Sequence, residues 1–366
     1  MAQFIQGLEL SRLYYLEAVQ PILEAQFPAL RYDAALIGSG SEVLGFDTPQ
    51  STDHHWGCRV LIFLTDADRV EHGTQIDAAL RRGLPRRFRG YATSMSEIPD
   101  EPGVMRFDES AEGEVNHQVI LLTRREFLLN ALAWDGESAL TAADWLTFPQ
   151  QRLRAITAGG VWHSGLGELD RVREALAYYP YDVWLYLLAA GWTRIGQEEP
   201  FVGRCGDVGD ELGSRVIAAR LVRDIMMLCF LMEQVYAPYP KWYGTAFERL
   251  KCARVLKPTL ERVFCADIWH VREAHLSTAY EVVAGMHNAL GITEPLSAEV
   301  SRFYSRPYTV IHGERFAEAL VATIADEEVK RIAAKTLIGG IDQYSDSTDF
   351  RDNLGEQRAK LTALYT

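Results

Sequence analysis

The chain contains no lysine before Lys241, so arginine alone supplies the basic side chains up to that point. Basic residues are in short supply throughout: 37 Lys and Arg stand against 50 Asp and Glu, a formal net charge of −13. Such a surface repels a polyphosphate backbone unless cations cluster locally, so nucleic acid is excluded as the expected main partner. Long apolar runs are also missing. The nearest approach, Leu221 to Met232, is short and interrupted by Arg223 and Asp224, whereas a membrane span needs about 18 to 20 apolar residues. The N-terminus has no basic stretch followed by an apolar one, so no secretory leader is expected. Cysteine is sparse and unpatterned. Cys58, Cys205, Cys229, Cys252 and Cys265 are odd in number and show no C-x-x-C spacing. They read as free thiols in a reducing cytoplasm. What remains is ordinary globular material: 48% hydrophobic and 24% charged residues over 366 positions, enough for two or three domains.

The first half mixes strands and helices. Leu8 to Phe27 has the apolar spacing of a helix, through Leu10, Leu13, Tyr14, Leu16 and Val19. Ala34 to Ile37 reads as a short strand that runs into Gly38-Ser39-Gly40-Ser41. Cys58 to Leu64 is a continuous apolar run of strand length, and Val115 to Leu122 is a further strand. Asp77 to Arg82 falls in a helix. From about Pro149 the period turns helical, with Tyr181 to Ile195, Leu212 to Tyr236 and Trp269 to Leu290 as the principal helices. The polar, glycine-rich stretch Gly196 to Gly213 is expected as a loop. The expected fold is α+β: residues 1–148 form a small mixed sheet with helices, and residues 149–366 form an all-helical domain.

The chemistry concentrates between Gly38 and Gly57. Glycine lets backbone approach a ligand closely, and a serine with exposed amides suits phosphate oxygens. Asp53 is expected to open a strand, where residues two apart share a face, so Asp53 and His55 would point together. The segment Gly40–Gly57 (GSEVLGFDTPQSTDHHWG) resembles the polymerase-beta type of nucleotidyltransferase, in particular the kanamycin and lincosamide branch. There a Gly-Ser pair precedes Asp-x-Asp or Asp-x-Glu by about ten residues. That segment, together with RIGQEEPFVGR (Arg194–Arg204), Glu211 to Arg215 and KWYGTAF (Lys241–Phe247), is also similar to the bacterial family known as domain of unknown function 4037. The similarity is expected to run over most of the chain.

The resemblance implies a nucleotidyltransferase-like fold that takes a nucleoside triphosphate, ATP first, with Mg²⁺ or Mn²⁺, and passes a nucleotidyl group to a small hydroxyl-bearing acceptor. Gly40, Ser41, Arg59 and Lys241 are then the candidate cofactor contacts. Asp53 is a metal ligand, and Asp53, His55 and Glu199 are catalytic candidates, Glu199 as a general base. One departure stands out. His55 occupies the place of the second acid, and imidazole suits transition metals better than Mg²⁺. The strand around His117 carries no acid either. Two alternatives follow: a degenerate member that binds a nucleotide or partner without catalysis, and a hydrolase whose transition metal is held by Asp53, His55 and His117. Asp53-His54-His55 also matches the signature of the DHH phosphoesterases. Arg81, Arg82, Arg86, Arg87 and Arg89 form the one basic cluster of this half, a candidate anion clamp or a solvated helix end.

Overall fold

A computed structural model of the chain describes residues 4–52, 56–97, 105–108 and 113–366. The chain divides into two compact units, one of Met1–Ala139 with Arg152–Ala177 and the other of Leu140–Gln151 with Tyr178–Thr366. A single cut at residue 148 therefore does not describe it. The chain passes between units three times. The reason is a strand inside the stretch read as helical.

Unit 1 opens with helix α1 (Gly7–Tyr14), a π-helical turn (Tyr15–Val19) and α2 (Gln20–Gln26). Pro21 has no N–H to return to the preceding turn, and the backbone widens just ahead of it. Strand β1 (Asp33–Leu36) and strand β2 (Arg59–Leu64) follow. Helix α3 (Asp66–Gly83) starts at once, capped by the Thr65 hydroxyl, which accepts from the Asp68 N–H. Asp66 and Asp68 both fall in its first turn. Two small hairpins come next, β3 (Arg87–Phe88) with β4 (Tyr91–Ala92) and β5 (Met95–Glu97) with β6 (Met105–Phe107). Strand β7 (Gln118–Thr123) leads into α4 (Arg124–Leu132) through a reciprocal Thr123/Glu126 capping box. After α5 (Ala142–Thr147) the chain returns to unit 1 within α6 (Gln150–Thr157) and continues into β8 (Gly160–Ser164) and α7 (Glu168–Ala175).

The four long strands form one mixed sheet in the order β7-β2-β1-β8. β2 and β7 run parallel, with Arg59 opposite Gln118 and Leu64 opposite Thr123. β1 is antiparallel to both β2 and β8. Val60, Ile62 and Leu64 alternate onto the face that packs with Leu10, Tyr14, Ile76 and Leu80. Asp33 is fully buried, and its carboxylate accepts from the amides of Leu166, Gly167 and Leu169 at 2.7, 3.1 and 3.2 Å. Those bonds fasten the β8–α7 turn to β1.

Unit 2 is helical: α8 (Tyr181–Glu198), α9 (Phe201–Asp207), α10 (Glu211–Met232), α11 (Tyr243–Phe247), α12 (Ala253–Cys265), α13 (Trp269–Ala289), a hairpin of β9 (Ser301–Arg302) and β10 (Thr309–Val310), then α14 (Gly313–Thr323). The expected loop from Gly196 to Gly213 is mostly helix, broken by turns at 199–200 and 208–210. Two of its glycines serve packing instead: a side chain at Gly203 would meet Tyr308 and Glu273, and one at Gly206 would meet Trp269.

Candidate functional site

Because β1 and β2 are antiparallel, the end of β1 and the start of β2 lie at the same end of the sheet. The connection begins with Gly38-Ser39-Gly40-Ser41. Gly38 has φ +92° and Gly40 φ +144°, values that L side chains rarely adopt. The Gly38 amide is fixed by the Ala155 carbonyl at 2.8 Å. Glu42 then folds back over the turn. A Cβ built on Gly40 would stand 2.5 Å from Glu42 Oε2, so the carboxylate lies directly over this glycine. Glu42 is 3% exposed, and its Oε1 lies 3.0 Å from Arg59 Nη1. Arg59 Nη2 donates to the Ser39 carbonyl at 3.1 Å. Burial pushes the Glu42 carboxyl above its ordinary value; Arg59 opposes this and Asp47 adds to it. Asp47 accepts from the Gly7 amide at 2.7 Å and the Trp56 indole at 3.0 Å. The result is a small corner: a glycine turn, one guanidinium aimed into it, and two carboxylates already engaged.

The adjoining sheet face is readable from the register. Arg59, Leu61 and Phe63 alternate away from the core cluster, and Phe63 meets Phe127 of α4 with ring centroids 5.5 Å apart. Opposite Arg59 and Leu61 on β7 stand Gln118 and Ile120. Ile120 is 43% exposed, so part of this face is open. No acid stands at those β7 positions.

Asp53 and His55, with His54 between them, lie outside the described residues. Strand β2 starts at Arg59. His117 precedes β7 and turns the other way from Arg59 and Gln118, toward α3. Its Nδ1 accepts from the Val119 amide at 3.2 Å, and its Nε2 lies 3.5 Å from Asp77 Oδ1. Burial holds its pKa below the ordinary imidazole value. Among the described residues no group of three or more His, Cys, Asp or Glu side chains is disposed to hold a metal. A divalent cation prefers several free oxygens. Glu42 Oε1 faces the Arg59 guanidinium and Asp47 Oδ2 takes both the Gly7 amide and the Trp56 indole, so these two carboxylates beside a fixed cation are a poor donor set for such an ion.

The arginine cluster is tied into its own surroundings. Arg81 pairs with Asp77 at 2.6 Å, Arg89 with Glu17 at 2.6 Å, and Arg86 donates to the Gly113 carbonyl. Two candidates belong to unit 2. Lys241 is exposed and lies 5.0 Å from the centroid of the Trp242 ring. Glu199 is 3% exposed, and its two oxygens accept from the Ile311 amide at 2.5 Å and the Gly313 amide at 3.1 Å. Burial raises its carboxyl to about 7. It clamps the turn that starts α14, which corrects its assignment as a general base: a sealed carboxylate bonded to backbone reaches no substrate proton.

Residues 145–243 match the family model described as Domain of unknown function (DUF4037). The match is to a DUF4037 segment. It takes in Arg194–Arg204, Glu211 to Arg215 and the first residues of the Lys241–Phe247 motif. It is shorter than the span expected from sequence, since Gly40–Gly57 falls ahead of the DUF4037 segment. No curated protein and no solved structure matches the chain. Glu42 and Asp47 were not singled out from sequence. The available signal was a carboxylate placed directly after Gly40-Ser41 with an arginine at the head of the next strand.

Proposed function

We propose that the Gly38–Glu42 corner binds the phosphate end of a nucleoside triphosphate, ATP first, in a nucleotidyltransferase-like unit that holds the nucleotide without two-metal chemistry. The observation that carries this is Arg59. Its guanidinium stands at the glycine turn, 3.1 Å from Ser39 O and 3.0 Å from Glu42. Arginine grips phosphate through two parallel N–H bonds, and glycine backbone admits close approach. Glu42 occupies the anion's place in the free protein, and an incoming phosphate exchanges with it. The open sheet edge beside Ile120 gives the remainder of the nucleotide a surface to lie on.

The second reading is nucleotidyl transfer to a small hydroxyl-bearing acceptor with Mg²⁺ or Mn²⁺. It is favoured by Asp53 and His55, which follow the Gly-Ser pair at the interval seen in transferases. A calorimetric titration of ATP into the protein in EDTA, then in Mn²⁺, separates the two. Saturable binding in EDTA without pyrophosphate release in Mn²⁺ supports binding alone. Pyrophosphate release that disappears in Asp53→Asn supports transfer. Absence of binding under every condition, with the protein folded, removes both.

A further inference from the structure

Sequence spacing treats the five cysteines as unrelated, yet the fold brings two of them together. Cys229 lies on α10, one turn before its end at Met232, and Cys252 immediately precedes α12. The Cys252 side chain acts directly on the Cys229 thiol. The backbone is held to match. Glu233 donates its own amide to the Cys229 carbonyl at 2.9 Å, and its carboxylate accepts from the Lys251 and Cys252 amides at 2.8 Å each. The same residue therefore fixes both cysteines from the helix end. Their exposures differ: Cys229 is buried and Cys252 half-buried.

We propose that Cys229 and Cys252 form a reversible oxidation site, in which a peroxide converts the two thiols to one intramolecular disulfide. The half-buried Cys252 meets the oxidant. Its thiolate attacks one peroxide oxygen, an S–O bond forms, the O–O bond breaks, and Cys252 becomes a sulfenic acid as hydroxide leaves and takes a proton to form water. The Cys229 sulfur then attacks the Cys252 sulfur, an S–S bond forms, and the hydroxyl departs with the Cys229 proton as a second water. Two thiols are oxidised, one peroxide is reduced, and two waters are released. Burial explains the order. A buried thiol keeps its proton and is a poor first nucleophile, but it is well placed to resolve a sulfenic acid beside it. The disulfide would close a covalent ring around residues 229–252, which includes Lys241, Trp242 and Tyr243. Neither nucleotide binding nor transfer is needed for this chemistry, so it stands apart from the function proposed above.

The test is peroxide treatment of the purified full-length chain, then alkylation and mass spectrometry without reductant. Of five cysteines, three are expected to remain alkylatable. The peptides carrying Cys229 and Cys252 are expected to be joined, about 2 Da lighter than their sum, and dithiothreitol should restore both thiols. In Cys229→Ser the joined peptide disappears, and Cys252 is driven on to sulfinic acid. Sulfinic acid at Cys252 of the wild-type chain with Cys229 still alkylatable would overturn the proposal. So would disulfides confined to the exposed Cys265. The wild-type measurement decides the matter even if the serine variant fails to fold.

Discussion

Glu199 offers a stability effect whose size can be worked out in advance. Its carboxyl is 3% exposed and raised from 4.5 to about 7, chiefly by burial, with the Ile311 and Gly313 amides opposing the rise. A carboxyl whose folded pKa is raised favours folding when protonated. Its contribution is complete below the unfolded value and is lost as pH rises through about 7. Taking these two pKa values, the folded state should lose about 2 kcal/mol between roughly pH 5.5 and pH 8.5 from this group. Glu273, also raised to about 7 by burial, acts in the same direction. Urea unfolding across that range measures the slope. Glu199→Gln should remove the Glu199 share of the pH dependence. At about pH 5.5 it should also lower stability by about 1–3 kcal/mol, because one amide oxygen cannot serve both N–H donors, and this gap should close as the wild type loses stability at higher pH. The deciding quantity is the difference in slope between wild type and variant. Equal slopes would refute the reasoning, because Glu199 would then ionise alike in the folded and unfolded chains.

Three further outcomes follow from the geometry. Glu42→Gln removes the charge that competes for Arg59 and should tighten ATP binding about tenfold near neutral pH, or about 1.4 kcal/mol by calorimetry; unchanged or weaker binding contradicts the exchange. Since burial raises the Glu42 carboxyl, wild-type affinity should also increase as pH falls and Glu42 protonates, and the variant should lack this dependence. Asp33→Ala leaves the Leu166, Gly167 and Leu169 amides without their acceptor and should cost at least about 3 kcal/mol in denaturant unfolding. A cost near zero would mean the β8–α7 turn is held by other contacts.

Most of the framework could be read from apolar runs. The runs at Cys58 to Leu64 and Trp269 to Leu290 appear as β2 (Arg59–Leu64) and α13 (Trp269–Ala289) because burial on both faces of a strand, or along a helix stripe, leaves its period in the chain. Strand β8 was hidden. Gly160–Ser164 carries only half-buried apolar residues at the sheet edge, between two helices, and its pairing with β1 is a long-range event. Gly196 to Gly213 misled for the opposite reason. Gly203 and Gly206 mark tight helix packing, a tertiary demand that looks like loop composition. At the candidate site the glycine turn and Arg59 were legible. The Glu42–Arg59 pair was not, since nothing in the spacing says that the carboxylate folds back onto Gly40. The Cys229–Cys252 neighbourhood was equally silent, because two helices and an intervening segment create it.

The central claim is that Arg59 at the Gly38–Glu42 turn takes the phosphates of a nucleotide. It is tested most directly by titrating ATP, in EDTA, into wild type and Arg59→Ala. The variant's fold should be checked first by circular dichroism. The account predicts saturable binding to wild type and a loss of at least about tenfold in the variant, since a charge-assisted bidentate contact contributes roughly 1.5–3 kcal/mol. ATP binding that is indifferent to Arg59, or no binding to the folded wild-type chain, would contradict it.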